Sequence, residues 1–135
     1  MLNRWIIVLL FALATAPAQD SEAARKRFLG TWQGKFNGEV FLTVQLEAGK
    51  GIEGTISPGR ITVDKDGEIV AAEALPEGHE SDLMRVRLDG DRLTFEADDH
   101  GDLIKLEMRL TGDGKAELRF VSARAKIKPI RLERS

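Results

Sequence analysis

Cysteine and tyrosine are absent from the 135 residues, and histidine occurs only twice. Without cysteine there is no thiol nucleophile, no thiolate metal site and no disulfide, so an oxidising compartment adds nothing to the fold. A lipid cannot be attached at an N-terminal cysteine either. A serine triad needs a histidine base, yet His79 and His100 lie in no nucleophile motif and fall in turn-like stretches. No run after the first fourteen residues is apolar enough to cross a membrane. Charge of one sign is not in large excess: 20 Lys and Arg against 22 Asp and Glu give a net charge of −2. That balance argues against non-specific nucleic-acid binding.

What is present begins with an export pattern. Met1 to Arg4 carries one basic side chain, Trp5 to Ala14 is apolar, and Ala16-Pro17-Ala18 places small residues where a signal peptidase reads them. The apolar run is about half of the roughly 20 residues a membrane span needs. The expectation is a signal peptide over 1–18, cleaved after Ala18, and a single exported domain over 19–135, periplasmic or secreted, with no transmembrane segment.

Asp20 to Leu29 reads as a short helix. Asp20 or Ser21 can cap it, Arg25 to Arg27 suit its last turn, and Gly30 offers a stop. From there the period changes to two. Trp32, Gly34 and Phe36 share one face. Val40, Leu42, Val44 and Leu46 alternate with Phe41, Thr43, Gln45 and Glu47, and Ile52, Gly54 and Ile56 with Glu53, Thr55 and Ser57. Later runs place Met84, Val86 and Leu88, then Leu93, Phe95 and Ala97, then Ile104, Leu106, Met108 and Leu110. Ala116, Leu118 and Phe120 follow, and finally Ile130 and Leu132. Short alternating runs of this kind are strands with one buried face.

Turn residues separate the runs: Gly49-Lys50-Gly51, Ser57-Pro58-Gly59, Asp66-Gly67, Pro76-Glu77-Gly78, Asp89-Gly90, His100-Gly101 and Gly112-Asp113-Gly114. A two-residue turn at Asp89-Gly90 predicts Leu88 opposite Asp91 and Val86 opposite Leu93, with Arg87 facing Arg92 at a small penalty. Only 60–75 reads weakly, because Ala71, Ala72 and Ala74 are poor strand formers. Nearly every link is hairpin-like. The expectation is all-β: an antiparallel up-and-down meander of about eight to ten strands closing into a small barrel, which leaves no exposed edges.

The helix followed by Gly30-Thr31-Trp32 resembles the entrance of a lipocalin or related calycin barrel. In those families a Gly-x-Trp opens the first strand, and the tryptophan packs beneath the barrel against an arginine from the last strand. Here the chain ends Pro129-Ile130-Arg131-Leu132-Glu133-Arg134, and Arg134 is in phase with Ile130 and Leu132. The resemblance therefore makes Gly30, Trp32 and Arg134 the closure of the barrel. The 19–135 stretch is also similar to small exported bacterial domains that share Leu-x-Gly-x-Trp-x-Gly (Leu29 to Gly34), Gly-Thr-x-Ser-Pro (Gly54 to Pro58) and an arginine near the end. A likeness to avidin covers only the first two strands. With Trp32 the last tryptophan after cleavage and no tyrosine, that family's aromatic biotin cage is not reproduced.

Candidate sites follow from the pattern. The inward set Leu42, Val44, Ile56, Val86, Phe95, Leu106, Met108 and Phe120 either fills the barrel or faces a small apolar ligand. Asp99, His100 and Asp102, within Asp98 to Asp102, could gather around a divalent cation. Asp64 to Glu68 has the wrong spacing for an EF-hand, and Asp and Gly are ordinary hairpin residues, so no metal or other cofactor is expected. Closure would bring Lys35 beside the basic residues Arg119, Arg124, Lys126, Lys128, Arg131 and Arg134. That face would suit an acidic envelope partner; the alternative is a solvated strand surface. It has no aromatic platform for nucleic acid.

Two function classes remain open, both non-enzymatic. One is an exported barrel that binds a small apolar or lipid-like ligand, which the resemblance favours. The other is a cell-envelope interaction domain with a filled core. N-terminal sequencing of the exported protein is expected to start at Gln19; intact Met1 in a membrane fraction would rule out cleavage.

Overall fold

A computed structural model describes residues 22–99, 101–121 and 126–135. The expected leader over 1–18 and the Asp20 or Ser21 cap lie outside these residues. Residues 22–28 form the helix, which ends on the fully buried Phe28. Gly30 has φ +125°, a region that L side chains rarely adopt, and it turns the chain into the first strand.

Among the described residues alternation then produces eleven strands: β1 Gly30–Phe36, β2 Glu39–Ala48, β3 Ile52–Ser57, β4 Gly59–Val63, β5 Ile69–Ala74, β6 Ser81–Asp82, β7 Met84–Asp89, β8 Arg92–Asp99, β9 Asp102–Gly112, β10 Lys115–Phe120 and β11 Ile130–Arg134. Nine of them form one sheet in the order β6-β3-β2-β1-β11-β10-β9-β8-β7, and β4 pairs only with β5. All pairs are antiparallel. The two edge strands of the large sheet, β6 and β7, are one run of chain interrupted at Leu83. Ser81 and Asp82 pair with β3, and the Leu83 amide donates to the Gly54 carbonyl at 2.9 Å. Beyond Leu83 the same run pairs with β8. The sheet thus curls into a nearly closed barrel whose edges are joined by a single segment. Arg85 lies in the bulge that redirects it, at φ +49°, and its guanidinium bonds Glu96 on β8 at 2.6 Å.

The barrel is sealed where the first and last strands meet. Trp32 stands directly opposite Arg134, and Gln33 opposite Glu133. Trp32 is fully buried, and its Nε1 donates to the Phe28 carbonyl at 2.9 Å. The Arg134 guanidinium lies 4.5 Å from the indole ring centroid and also donates to the Arg27 carbonyl. Arg134 itself is exposed, covering the indole from the solvent side. It is not a frayed end, because its amide donates to Gly114 and that of Ser135 to Thr31. Nearby, β1 and β2 slip by one residue so that Phe41 has no cross-strand partner, and both Phe41 and Leu42 are buried. Gly34 makes room for this: a Cβ there would lie 3.2 Å from Ile130 Cγ2 and 3.5 Å from the Phe41 ring.

Three turn expectations are corrected. Ser57-Pro58-Gly59 is not a hairpin, since β3 and β4 do not pair. Pro58 has no amide to donate, and the chain leaves the sheet there. Pro76 to Gly78 likewise joins unpaired strands. Between β7 and β8 the loop is Gly90-Asp91, with Leu88 opposite Leu93 and Asp89 opposite Arg92. Gly90 has φ +64° and so takes the first loop position instead of the second, a II′-like arrangement. This register differs by two from the expected one, so the faces are kept, but Arg87 now faces Thr94 and the expected Arg–Arg repulsion disappears. One turn went unread. Asn37 and Gly38, both at positive φ, join β1 to β2.

Replacing Trp32 by Ala is expected to lower stability by about 3–5 kcal/mol, as for a core tryptophan. Arg134→Ala should lose about 1–2 kcal/mol through the ring contact and the hydrogen bond. Arg131→Ala, one step out of phase, should stay within about 0.5 kcal/mol. Chemical denaturation reads all three, and the effects of Arg134→Ala and Trp32→Phe should not add.

Candidate functional site

The inward residues divide by depth along each strand. At the end sealed by Trp32, the side chains of Leu93, Met108, Leu118 and Leu132 are essentially inaccessible and fill the barrel. Toward the other end the strands carry Leu42, Ile56, Ala97 and Leu106, which are buried but border an open cavity of about 750 Å³. Ile104, Phe120 and Ile127 stand half-buried around them, and Leu103 is exposed at the mouth.

The cavity owes one wall to the β4–β5 hairpin, which supplies Ile61 and, just past its end, Leu75. Gly59 lets this hairpin lie close against β2, because a Cβ there would come within 2.2 Å of the Phe41 carbonyl. At the tip, one Asp64 carboxylate oxygen accepts from the amides of Asp66 (2.9 Å) and Glu68 (3.0 Å). That carboxylate shapes a turn. Gly67, at φ +88°, packs on the Lys126 carbonyl, and its own carbonyl accepts from the Lys128 amide at 3.0 Å. The Lys128 ammonium bonds Glu68 at 2.6 Å, and this partner raises the lysine above its ordinary pKa. The 126–128 segment thereby ties the hairpin tip down and presents Ile127 to the cavity.

The mouth is acidic. Glu80, Asp98, Asp99 and Asp102 border it, and all four are exposed. Asp99 and Asp102 stand directly opposite each other where β8 turns into β9. Asp98 accepts from the Gly101 amide at 2.8 Å, and Gly101 has φ +92°. His100 lies outside the described residues, among which no group of three or more His, Asp or Glu is placed to hold a metal ion. Ser81 and His79 also line the cavity. The Ser81 hydroxyl, however, donates to the Asp98 carbonyl at 3.0 Å, linking β6 to β8. A serine nucleophile would instead offer that proton to a base.

Of the expected inward set, Leu42, Ile56, Leu106 and Phe120 line the cavity. Val44, Phe95 and Met108 belong to the filled core, and Val86 is half-buried on β7, away from the cavity lining. Ile61, Leu75 and Ile127 were missed, because their roles depend on a hairpin and a tail that meet only in three dimensions. Asp99 and Asp102, the metal candidates of the sequence, stand at the acidic mouth. The expected basic face is of mixed sign. β1 and β11 are neighbours, and Lys35, Arg119 and Arg131 are exposed. Acids face these strands, however: Glu117 opposes Arg131, Glu107 opposes Arg119, and Glu133 opposes Lys115. Arg109 also reaches Glu117 at 3.7 Å. Arg124 lies outside the described residues.

Gly67→Ala should loosen the cavity wall and lower stability by about 1–3 kcal/mol, through strain and the lost close approach. Lys128→Met should barely shift the denaturation midpoint, since an exposed pair contributes little. What it contributes is present at neutral pH and is lost in alkali, as pH rises through the raised pKa of Lys128. A pH series of denaturation midpoints, wild type against Lys128→Met, should converge in alkali.

Comparisons with protein-family models, curated proteins and solved structures give no match. The functional reading therefore rests on the geometry of the cavity.

Proposed function

We propose that the chain is exported, to the periplasm or beyond, and that its barrel holds one small apolar or lipid-like molecule in the open cavity without converting it. The observation that carries this reading is the cavity itself. Its volume of about 750 Å³ lies within the range of small-molecule sites, and its deepest lining is aliphatic. Small barrels either fill their interior or hold one ligand there, and this one does each at a different end. Apolar wall exposed to water favours any ligand that removes it from solvent. The Ala16-Pro17-Ala18 pattern supports export. The other reading, an envelope interaction domain with a filled core, accounts for the sealed end but leaves the cavity without a role.

Native mass spectrometry of protein purified from its host tests this. The expected result is a co-purifying lipid-like mass that is reduced in Ile104→Trp, whose half-buried side chain lines the cavity and would narrow it, while the melting temperature stays near wild type. A protein that takes up neither host lipid nor an added long-chain alcohol would overturn the reading.

A further inference from the structure

Resting on the cavity reading, we propose that the floor of the cavity gauges ligand length, so that the barrel selects molecules with an apolar chain of medium length. The floor is a layer of side chains fixed by strand register. Leu93 stands opposite Met108, Met108 opposite Leu118, and Leu118 opposite Ile130, so four adjoining strands, β8 to β11, hold these residues at one level. The first three are wholly inaccessible and Ile130 is 4% exposed, and none of the four lines the cavity. The lining begins one step nearer the mouth. Leu106 and Phe120 stand opposite each other, two residues from Met108 and Leu118 along the same strands, and both border the cavity. The same step occurs on β2, where Leu42 lines the cavity and Val44, two residues deeper, is fully buried.

A packed layer of this kind admits extra atoms only with strain. Depth then follows from β9. Asp102 is exposed at the mouth, and Leu106, four residues on, is buried at the floor. Four residues of strand advance about 13 Å, or about 10 Å along the axis once strand tilt is allowed for, which is the length of an extended chain of about eight to ten carbons. Methylenes within that depth leave water for the aliphatic wall of Leu42, Ile56 and Leu106. Methylenes beyond it project past the mouth into solvent and add no affinity.

A series of primary alcohols tests the gauge. Hexanol, octanol, decanol and dodecanol, each below its solubility limit, are titrated against the protein by calorimetry. Each buried methylene contributes about fourfold in affinity, so octanol should bind about fifteenfold more tightly than hexanol. From decanol to dodecanol the gain should fall below about twofold, because the added carbons stay in water. Met108→Ala opens the floor and should restore a gain of about fivefold or more at that last step. Ile104→Trp, which narrows the cavity, should weaken binding of all four alcohols. Dodecanol binding about fifteenfold more tightly than decanol to the wild type would overturn the gauge and leave the cavity reading standing. A folded Met108→Ala barrel with no gain at that step would do the same. If Met108→Ala does not fold, the wild-type comparison decides alone. If none of the alcohols binds, or if Ile104→Trp changes nothing, both the gauge and the cavity reading fall.

Discussion

The contact of Trp32 with Arg134 joins the first long strand to the last, and the barrel exists only because those strands meet. A tryptophan in an open sheet would expose its ring and leave its indole N–H to water. Here the ring is enclosed from three directions: the helix supplies a carbonyl to Nε1, neighbouring strands supply aliphatic side chains, and the guanidinium lies over the remaining face. The short helix alone would be marginal in water. It persists because Phe28 is buried, because the Phe28 carbonyl accepts from the Trp32 indole, and because Arg134 bonds the Arg27 carbonyl. One stack of side chains thus holds the helix, the first and last strands and the sealed base of the barrel.

The open end follows a different logic. Among the described residues nothing comparable to Trp32 plugs it. Its wall is borrowed from a hairpin that belongs to no larger sheet and from a tail segment that precedes β11. The two are tied by one backbone bond, from the Lys128 amide to the Gly67 carbonyl, as well as by the exposed Lys128–Glu68 pair. Backbone bonds of this kind hold a loop in one place, whereas an exposed ion pair adds little. The division of labour is clear along β9, where Met108 lies in the filled half, Leu106 borders the cavity and Asp102 stands at the mouth.

Much of this architecture was legible as alternation. Period two assigned Leu42, Val44, Leu106 and Met108 to the interior, and the phase of Ile130 and Leu132 pointed to Arg134 as the neighbour of Trp32. Where reading failed, the missing information was three-dimensional or lay in turn chemistry. Ser57-Pro58-Gly59 has hairpin composition, yet the partner of β4 is β5, and only the fit of Gly59 against Phe41 explains why. Ala71, Ala72 and Ala74 gave a weak strand signal because their side chains contribute little burial; pairing with β4 supplies the order instead. Asn37-Gly38, an Asn-Gly pair with both residues at positive φ, carries a strong turn signal of its own. The cavity could not be traced, since half of its wall comes from segments far apart in sequence.

The single run that serves as both edges of the sheet has a dynamic consequence. Around most of the circumference each strand is held by ladders on both sides, but Ser81 and Asp82 are paired on one side only, with β3, before the run departs at Leu83. Local opening follows the weakest cooperative unit in a fold. This unit is the seam, where one amide at Leu83 and one hydroxyl at Ser81 bridge strands that otherwise diverge. Amides there should exchange with solvent well before those of β1, β2 or β9. Ser81 also lines the cavity, so the part of the wall that yields first is a part that a bound molecule would touch.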